Sequence, residues 1–426
     1  MKYLIVGGVA AGTKAAAKLL RQDRSAEVAI YTKSEDISYA GCGLPYYVGG
    51  GIGSREELIV NTPQKFSALT GAAVHTGREA VRVDPEARTV DFLTSGGVQE
   101  TVGDDLPGVG LPGVFTMRTP DDAIRLRAYI QQNGCRSAVV AGGGFIGLEI
   151  AENLMAQGLK VTVADMAGQI MPNLFDAEMA DFLRRQLQAA GMRIVTGAAL
   201  QRITGETSAT GVDTGVGHFA GEVVVLAMGV RPATGFLAGS GLEMERGLIL
   251  VDEAQHTTLM DVYAVGDCAR VRNRITGEGQ WSAMGSTANI TGRCLAKCLT
   301  NAPSYYFGCL GTGVVRLLPG WNAGRTGLTE QQARDAGFDP VSVYKTYDDY
   351  VNDNKAHYYP GASSFVTKLI ADRASRRLLG IQVLGAGAVD KMVDIAVAGI
   401  SMKAAIDDFD TMDFAYAPPF STAIHP

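Results

Sequence analysis

Two stretches of this chain repeat one physical pattern. "KYLIVGGVAAGTKAAAKLL" near the start and "SAVVAGGGFIGLEIAENLMAQG" further on each run from a short apolar, β-prone segment through clustered glycines into a helix former. Each is followed by a second apolar run, "EVAIYTK" and "KVTVADM". Strand, glycine turn, helix and strand in that order open a dinucleotide-binding βαβ unit. Two such openings restrict the fold class to α/β with two Rossmann-like domains.

The second turn carries Gly142, Gly144 and Gly147, the full G-x-G-x-x-G, with Phe145 and Ile146 inside it. Glycine removes the side chain where backbone N–H groups must approach a pyrophosphate at a helix N-terminus. Asp165 ends the next strand, where a carboxylate accepts hydrogen bonds from a ribose 2′-OH. No Arg or Lys follows closely to receive a 2′-phosphate, so NADH is favoured over NADPH. The first turn is less regular. Gly7, Gly8, Val9, Ala10, Ala11 and Gly12 displace the middle glycine, and Thr32 or Lys33 stands where the ribose acid is expected.

The 426 residues exceed one ordinary core, and 53 glycines supply many tight turns. Net charge is −6 without a basic block, which excludes the electrostatic footprint of a nucleic-acid binder. No apolar run reaches the roughly 18 residues that a membrane span needs. The glycine-punctuated N-terminus reads as strand, turn and helix, not as a signal peptide. Six scattered cysteines fit a reducing cytoplasm with free thiols. Cys294 and Cys298 lie one helical turn apart with no second ligand pair, so no metal site is expected.

Further along, "VVVLAMGVRP" and "DVYAVGDCA" read as strands ending at glycine, the second placing Asp267 at a strand end. A carboxylate there can bond a chain of sugar-like hydroxyls. From about Ser304, "LGTGVVRLL" and "SSFVTKLIADRASRRLLGIQVLG" read as antiparallel strands, and "AVDKMVDIAVAGISMKAAIDDF" as helix: a separate α+β domain.

The cysteine in "SYAGCGLPYYVGG" has no local partner; five residues away lie Tyr47 and Ile37. Cys42 stands at an expected helix start with Pro45 in the first turn, where a helix N-terminus favours a thiolate. Lys14, Lys18 and Arg21 share one face of the first helix.

Together, "GGVAAG", "SYAGCGLPYY", "GGGFIGLE", "LAMGVRP", "VYAVGDCA", "TGLTE", "HYYPGA" and "YAPPFS" resemble, in order, the pyridine nucleotide-disulfide oxidoreductase flavoproteins. The likeness is to the single-cysteine branch, which holds coenzyme A disulfide reductases, persulfide or polysulfide reductases, NADH oxidases and NADH peroxidase. It implies FAD on the first turn and on Asp267. It implies NADH, with NADPH as the other candidate, on the second turn, with Glu149 and Gly229 beside it. It implies an FAD domain in two parts, 1–112 and 238–303, around an NAD(P)H domain, 113–237. A C-terminal interface domain, 304–426, pairs two subunits and completes the partner's active site.

The resemblance further implies that Cys42 is the redox thiol. Tyr416 and either Tyr358 or Tyr359 reach the partner's cysteine. Lys14, Lys18 and Arg21, with Ser38 and Tyr39, line a channel for coenzyme A, a small-molecule disulfide or a persulfide. Three readings stay open: such a reductase, an NADH oxidase or peroxidase cycling Cys42 through a sulfenic acid, or a redox-sensing binding module with little turnover, against which the complete NAD motif argues. Ala10 holds the place where the oxidase and peroxidase branch has a histidine, which favours the reductase. Two features depart from the family or stay unassigned. The usual strand before the second turn has no counterpart in "VQETVGDDLPGVGLPGVF", so a sheet edge is expected to lose its neighbour. Gly41 stands where relatives often carry Asn, and His425 is left without a role.

Overall fold

The computed structural model describes residues 1–94, 106–302, 304–346 and 353–422. In chain order, the elements that matter begin with β1 (Lys2–Val6), α1 (Ala10–Gln22), β2 (Glu27–Tyr31), α2 (Leu44–Val48) and β3 (Ala73–His75). They continue with β4 (Val114–Phe115), β5 (Ser137–Ala141), α3 (Phe145–Ala156), β6 (Lys160–Ala164), α4 (Ala177–Ala189), β7 (Arg193–Val195) and β8 (Val223–Leu226). After them come α5 (Gly285–Cys298), β9 (Gly313–Leu318), β10 (Trp321–Gly327), β11 (Pro340–Lys345), β12 (Val366–Asp372), β13 (Leu378–Gly385) and α6 (Val389–Ser401).

The chain divides into two units: Met1–Leu44 with Ile52–Val102 and Gly229–Cys309, and Pro45–Gly51 with Gly103–Met228 and Leu310–Pro426. In the first, β1, β2 and β3 form a parallel sheet. The Ala-rich α1 buries Ala15, Ala16, Leu19 and Leu20, a stripe at helical spacing, and Ala16, Leu19 and Leu20 join Ile30, Ile37 and Phe66 in one core. α5 lies against α1 so closely that a Cβ on Gly292 would come 2.5 Å from the Ala11 carbonyl oxygen.

Among the described residues β1 has one strand neighbour, and Leu4 and Val6 on it are 48% and 41% exposed. Part of the stretch expected to lack a strand, residues 98–105, lies outside the described residues, as does His425. The run Val262–Val265 corrects the expectation of a strand before Asp267. It makes one bridge, Tyr263 with His256, and the 3-10 turn Gly266–Cys268 follows. Its backbone is taken up locally: Thr257 donates to the Val262 oxygen from both N–H and hydroxyl, and Ala264 N–H donates to Gln255.

The second unit holds a five-stranded parallel sheet, order β4-β8-β5-β6-β7, and a five-stranded antiparallel sheet, order β9-β10-β13-β12-β11. Continuous apolar runs build the parallel strands, as both faces of such a sheet are covered. The two sheets are fastened through Asp176, which precedes α4. Its carboxylate accepts from Gln382 Nε2 at 2.7 Å and from Glu330 N–H at 3.2 Å, and lies 3.1 Å from Lys368 Nζ. Lys368 on β12 is 2% exposed and also pairs with Glu178 and Glu330. A buried ammonium is tolerable only with such pairing.

Two outcomes follow from these contacts. A Cβ on Gly147 would sit 1.9 Å from the Gly142 oxygen, so Gly147→Ala should lower stability by about 1–3 kcal/mol in denaturant titration. Burial opposes ionisation of Glu330, yet hydrogen bonds from Ser342, Lys368 and Arg334 hold its carboxyl down at about 2, against an ordinary 4.5. Its folded pKa is depressed, so its contribution is full above about pH 4.5 and is lost as pH falls toward about 2. Glu330→Gln should flatten that part of an acid-unfolding profile followed by circular dichroism.

Candidate active site

The two glycine turns are built alike beyond their motifs. Gly7 and Gly142 both have positive φ, +103° and +113°, and each donates its N–H at 2.8 Å to the last residue of the next strand, Tyr31 or Ala164. A Cβ on Gly12 would meet the Gly7 oxygen at 2.0 Å, as one on Gly147 would meet Gly142. The glycine directly after each first glycine faces a matching pair. A Cβ on Gly8 would meet Ile37 at 2.9 Å and Thr32 at 3.2 Å; one on Gly143 would meet Ile170 at 3.1 Å and Asp165 at 3.2 Å. The next residues, Ser38 and Met171, share φ of 48° and 49° and donate N–H to Gly8 and Gly143 at 2.9 and 2.8 Å. The left-handed backbone of Ser38 is thus part of the turn's scaffold.

Both helices begin without a side-chain cap, at Val9 and Gly144, and neither has an acid in its first turn. Their first N–H groups therefore suit a phosphate. In the first unit, Gly266 packs on α1, its Cβ position 2.9 Å from that of Ala11, which brings Asp267 to the first turn. Burial pushes the Asp267 carboxyl up. Thr32 is buried and Lys33 pairs with Glu79 at 2.8 Å. Lys14 and Arg21 are exposed and Lys18 is half-buried. Tyr39 forms a bridge with Ile59.

In the second unit both oxygens of Asp165 are engaged, Oδ2 by Gly143 N–H at 2.6 Å and Oδ1 by Ala167 N–H at 2.7 Å. The acid read from sequence as a ribose acceptor also ties the turn to the loop beyond it. Gly142 reaches the end of β8, its Cβ position 2.3 Å from the Ala227 oxygen, and Gly229 follows with φ +109°. Ile146 is 44% exposed. Burial pushes the Tyr46 phenol up and Glu149 adds to the shift, a pairing that sequence reading missed.

Cys42 is exposed and lies in the 3-10 turn Gly41–Gly43 that leads into α2. The helix start expected from sequence is present, but its anion-stabilising power is small. Gly43 N–H donates to Ala40, Leu44 N–H donates to Gly41, and Pro45 has no N–H. Gly43 is fixed by packing, its Cβ position lying 3.0 Å from Ile52, whereas a Cβ on Gly41 would meet nothing within 4 Å. At the other end of the chain, the Tyr358 and Tyr416 hydroxyls are 2.9 Å apart on rings 65% and 49% exposed. The hydrogen bond with Tyr416 pushes the Tyr358 phenol up. Tyr359 instead places its ring 5.8 Å from the Lys355 ammonium.

Two glycine cradles on successive βαβ openings, with an exposed thiol in the segment after the first, define a dinucleotide-dependent redox protein. The chain belongs to the pyridine nucleotide-disulphide oxidoreductase family, whose model matches residues 1–287, and residues 319–426 match the dimerisation domain of that family. It is an oxidoreductase of the FAD- and NAD(P)H-dependent kind. It is 32% identical to a CoA-dependent NAD(P)H sulfur oxidoreductase of Pyrococcus abyssi, over 99% of this chain and 96% of the relative. It is 28% identical to an NADH oxidase of Methanocaldococcus jannaschii, over 100% and 97% of the two chains. The solved NAD-dependent persulfide reductase of A. fulgidus superposes with a TM-score of 0.93 at 30% identity, covering 100% of this chain and 81% of that one. Among the described residues, no helix is long and apolar enough to cross a membrane.

Asp165→Ala should leave two backbone donors unbonded and cost about 1–3 kcal/mol in denaturant titration. A calorimetric titration with NADH should show weaker binding in the same variant.

Proposed function

We propose that this protein reduces coenzyme A-type disulfides, persulfides or polysulfides with NADH. The observation that carries the reading is the pair of exposed hydroxyls, Tyr358 and Tyr416, 2.9 Å apart in the interface domain, together with the exposed Cys42 in its turn. The names of the Pyrococcus abyssi and A. fulgidus relatives point to the same chemistry.

The residues divide the work. The N–H groups that open α1 and the Asp267 carboxylate hold FAD; those that open α3, with Asp165, hold NADH, and Glu149 and Gly229 border that site. Bound FAD supplies the relay between a hydride donor and a thiol. Cys42 thiolate attacks the substrate disulfide, forms a Cys42–S–S–R bond and releases RS⁻. Two electrons from NADH then break that bond, returning Cys42 thiolate and RSH. With one further proton for the first RS⁻, the sum is NADH + H⁺ + RSSR → NAD⁺ + 2 RSH. In a homodimer, Tyr358 and Tyr416 of one subunit serve the other's Cys42, donating hydrogen bonds to the departing sulfur. Tyr359 carries no such role. Lys14, Lys18 and Arg21 present three cations on one helix face, suited to the phosphates of a coenzyme A moiety. The protein acts in the reducing cytoplasm, where thiol and NADH coexist.

The oxidase reading has the Methanocaldococcus jannaschii relative in its favour. Against it, Ala10 offers no acid–base group at the first turn. Cys42→Ser should retain FAD and lose reduction of coenzyme A disulfide and polysulfide by at least about a hundredfold in anaerobic steady-state assays. Undiminished turnover would remove Cys42 from the mechanism, and faster NADH consumption with oxygen alone would favour the oxidase.

A further inference from the structure

The tyrosine pair of the interface domain stands on two segments far apart in the chain, and each segment is closed by one buried polar side chain. Tyr358 lies on a loop, residues 355–362, whose neck is pinched by a bridge between Asp353 and Ser364. Asn354 N–H donates to the Ser363 oxygen at 2.9 Å, and Ser364 Oγ donates to Asp353 Oδ1 at 2.5 Å. The Asn354 side chain, 8% exposed, bonds in both senses. Its Oδ1 accepts from Ser363 N–H at 2.9 Å, and its Nδ2 donates to the Ala386 oxygen at 2.9 Å. Ala386 lies in the link between β13 and α6. Beside it Gly387, with φ +81°, comes so near that a Cβ there would lie 3.0 Å from Nδ2. One amide thus shuts the loop and pins its neck to the sheet.

Tyr416 stands on the C-terminal segment. There Ser421, 5% exposed, donates Oγ to the Ala415 oxygen at 2.8 Å. Phe420 and Ser421 N–H groups donate to the Ala417 oxygen at 2.9 and 3.2 Å. The two segments meet through Ala356 N–H, which donates to the Pro418 oxygen at 3.1 Å, and through the phenols themselves. Asn354 and Ser421 also line one small cavity, with Asp353 and Lys391 on its wall. Two exposed rings do not hold a hydroxyl contact unaided, because one hydrogen bond stabilises little against the freedom of both side chains. The backbone beneath them has to set the approach.

We infer that Asn354 is a positioning residue for disulfide reduction, with Ser421 as its counterpart. From inside the interface domain they hold the loop and the C-terminal segment in the register at which Tyr358 and Tyr416 share a hydrogen bond. The inference rests on the reading of that pair as donors to the departing sulfur. The position calls for an amide, not merely a polar group. Aspartate has the same shape and still accepts from Ser363 N–H, but it has nothing to donate and sets a buried charge against the Ala386 oxygen. The neck then parts from the sheet while the loop keeps its closing bond.

The test labels the holoenzyme with 3-fluorotyrosine and follows the Tyr358 fluorine signal, assigned by its loss in Tyr358→Phe, through a pH titration. The hydrogen bond with Tyr416 pushes the Tyr358 phenol up. The titratable groups set against it are Tyr416 and His357, whose ring centre lies 5.4 Å from that of Tyr358; Lys355 faces Tyr359 instead. In the parent, the Tyr358 transition should lie above that of an exposed tyrosine. Asn354→Asp should bring it down to the exposed value, and so should Ser421→Ala, while Ser421→Thr, which keeps the hydroxyl, should restore it. In anaerobic turnover with coenzyme A disulfide, Asn354→Asp should lower kcat about tenfold to a hundredfold with KM little changed, the scale of a misplacement near 1 Å. Placed on Tyr358→Phe, the same change should add almost nothing, since the group it positions is already gone.

A parent transition already at the exposed value, one that Asn354→Asp and Ser421→Ala leave in place, or a kcat loss undiminished on Tyr358→Phe would overturn the inference. The fluorine titration needs no substrate. It therefore decides the placement of the pair separately from whether the parent enzyme reduces disulfides.

Discussion

Both nucleotide turns depend on a methyl group that is missing. The helix that follows each turn passes within 2.0 Å, measured from an imagined Cβ, of the carbonyl of the turn's first glycine. Only hydrogen fits, and that approach brings the helix N-terminus close to the strand end. The rest of each turn is arranged around the same constraint. The first glycine adopts a backbone that L side chains disfavour, the second packs on an isoleucine and on the residue that follows the next strand, and a left-handed residue closes the loop. The same device is built in both units from different residues, Thr32 and Ser38 in one, Asp165 and Met171 in the other.

Between these turns runs the segment with the thiol, and it belongs to both units. Leu44 is the last of its residues in the first unit and Pro45 the first in the second. The Cys42 end is shaped by tight packing of Gly43 on Ile52; the far end is held by α3 and by Arg127, which donates to the Tyr47 oxygen at 3.2 Å and stacks on its ring at 4.8 Å. A short helix with almost no spare N–H groups at its start contributes position more than charge to the sulfur. In the interface domain, the tyrosine pair is positioned by a different logic, each phenol acting as the other's partner.

Much of this was legible in the sequence. Glycine spacing marked both turns, and alternating strands marked the C-terminal sheet, because both patterns report backbone geometry. The four-residue run before Asp267 misled, since apolar content cannot tell a strand from a loop whose backbone bonds to its neighbour. Tyr358 and Tyr359 are adjacent and chemically identical, so only the fold could separate them. The Arg316 guanidinium, 3.2 Å from Glu152 Oε1 and 5.5 Å from the centre of the Tyr46 ring, was missed as a link because these residues lie far apart in the chain. Two acids three residues apart on an apolar helix were the one available signal. Lys368 reads as an ordinary strand lysine until three carboxylates are seen around it.

The uncapped starts of α1 and α3 have a thermodynamic meaning. Thr62, Thr119 and Thr329 close helix starts with their own hydroxyls, whereas α4, α5 and α6 begin without a side-chain cap, as α1 and α3 do. At the two nucleotide turns a bound phosphate would take that office. Part of the folding free energy is therefore stored in the ligands, and grows with the logarithm of their concentration. Full flavin and nicotinamide pools would then add to the stability of the folded state.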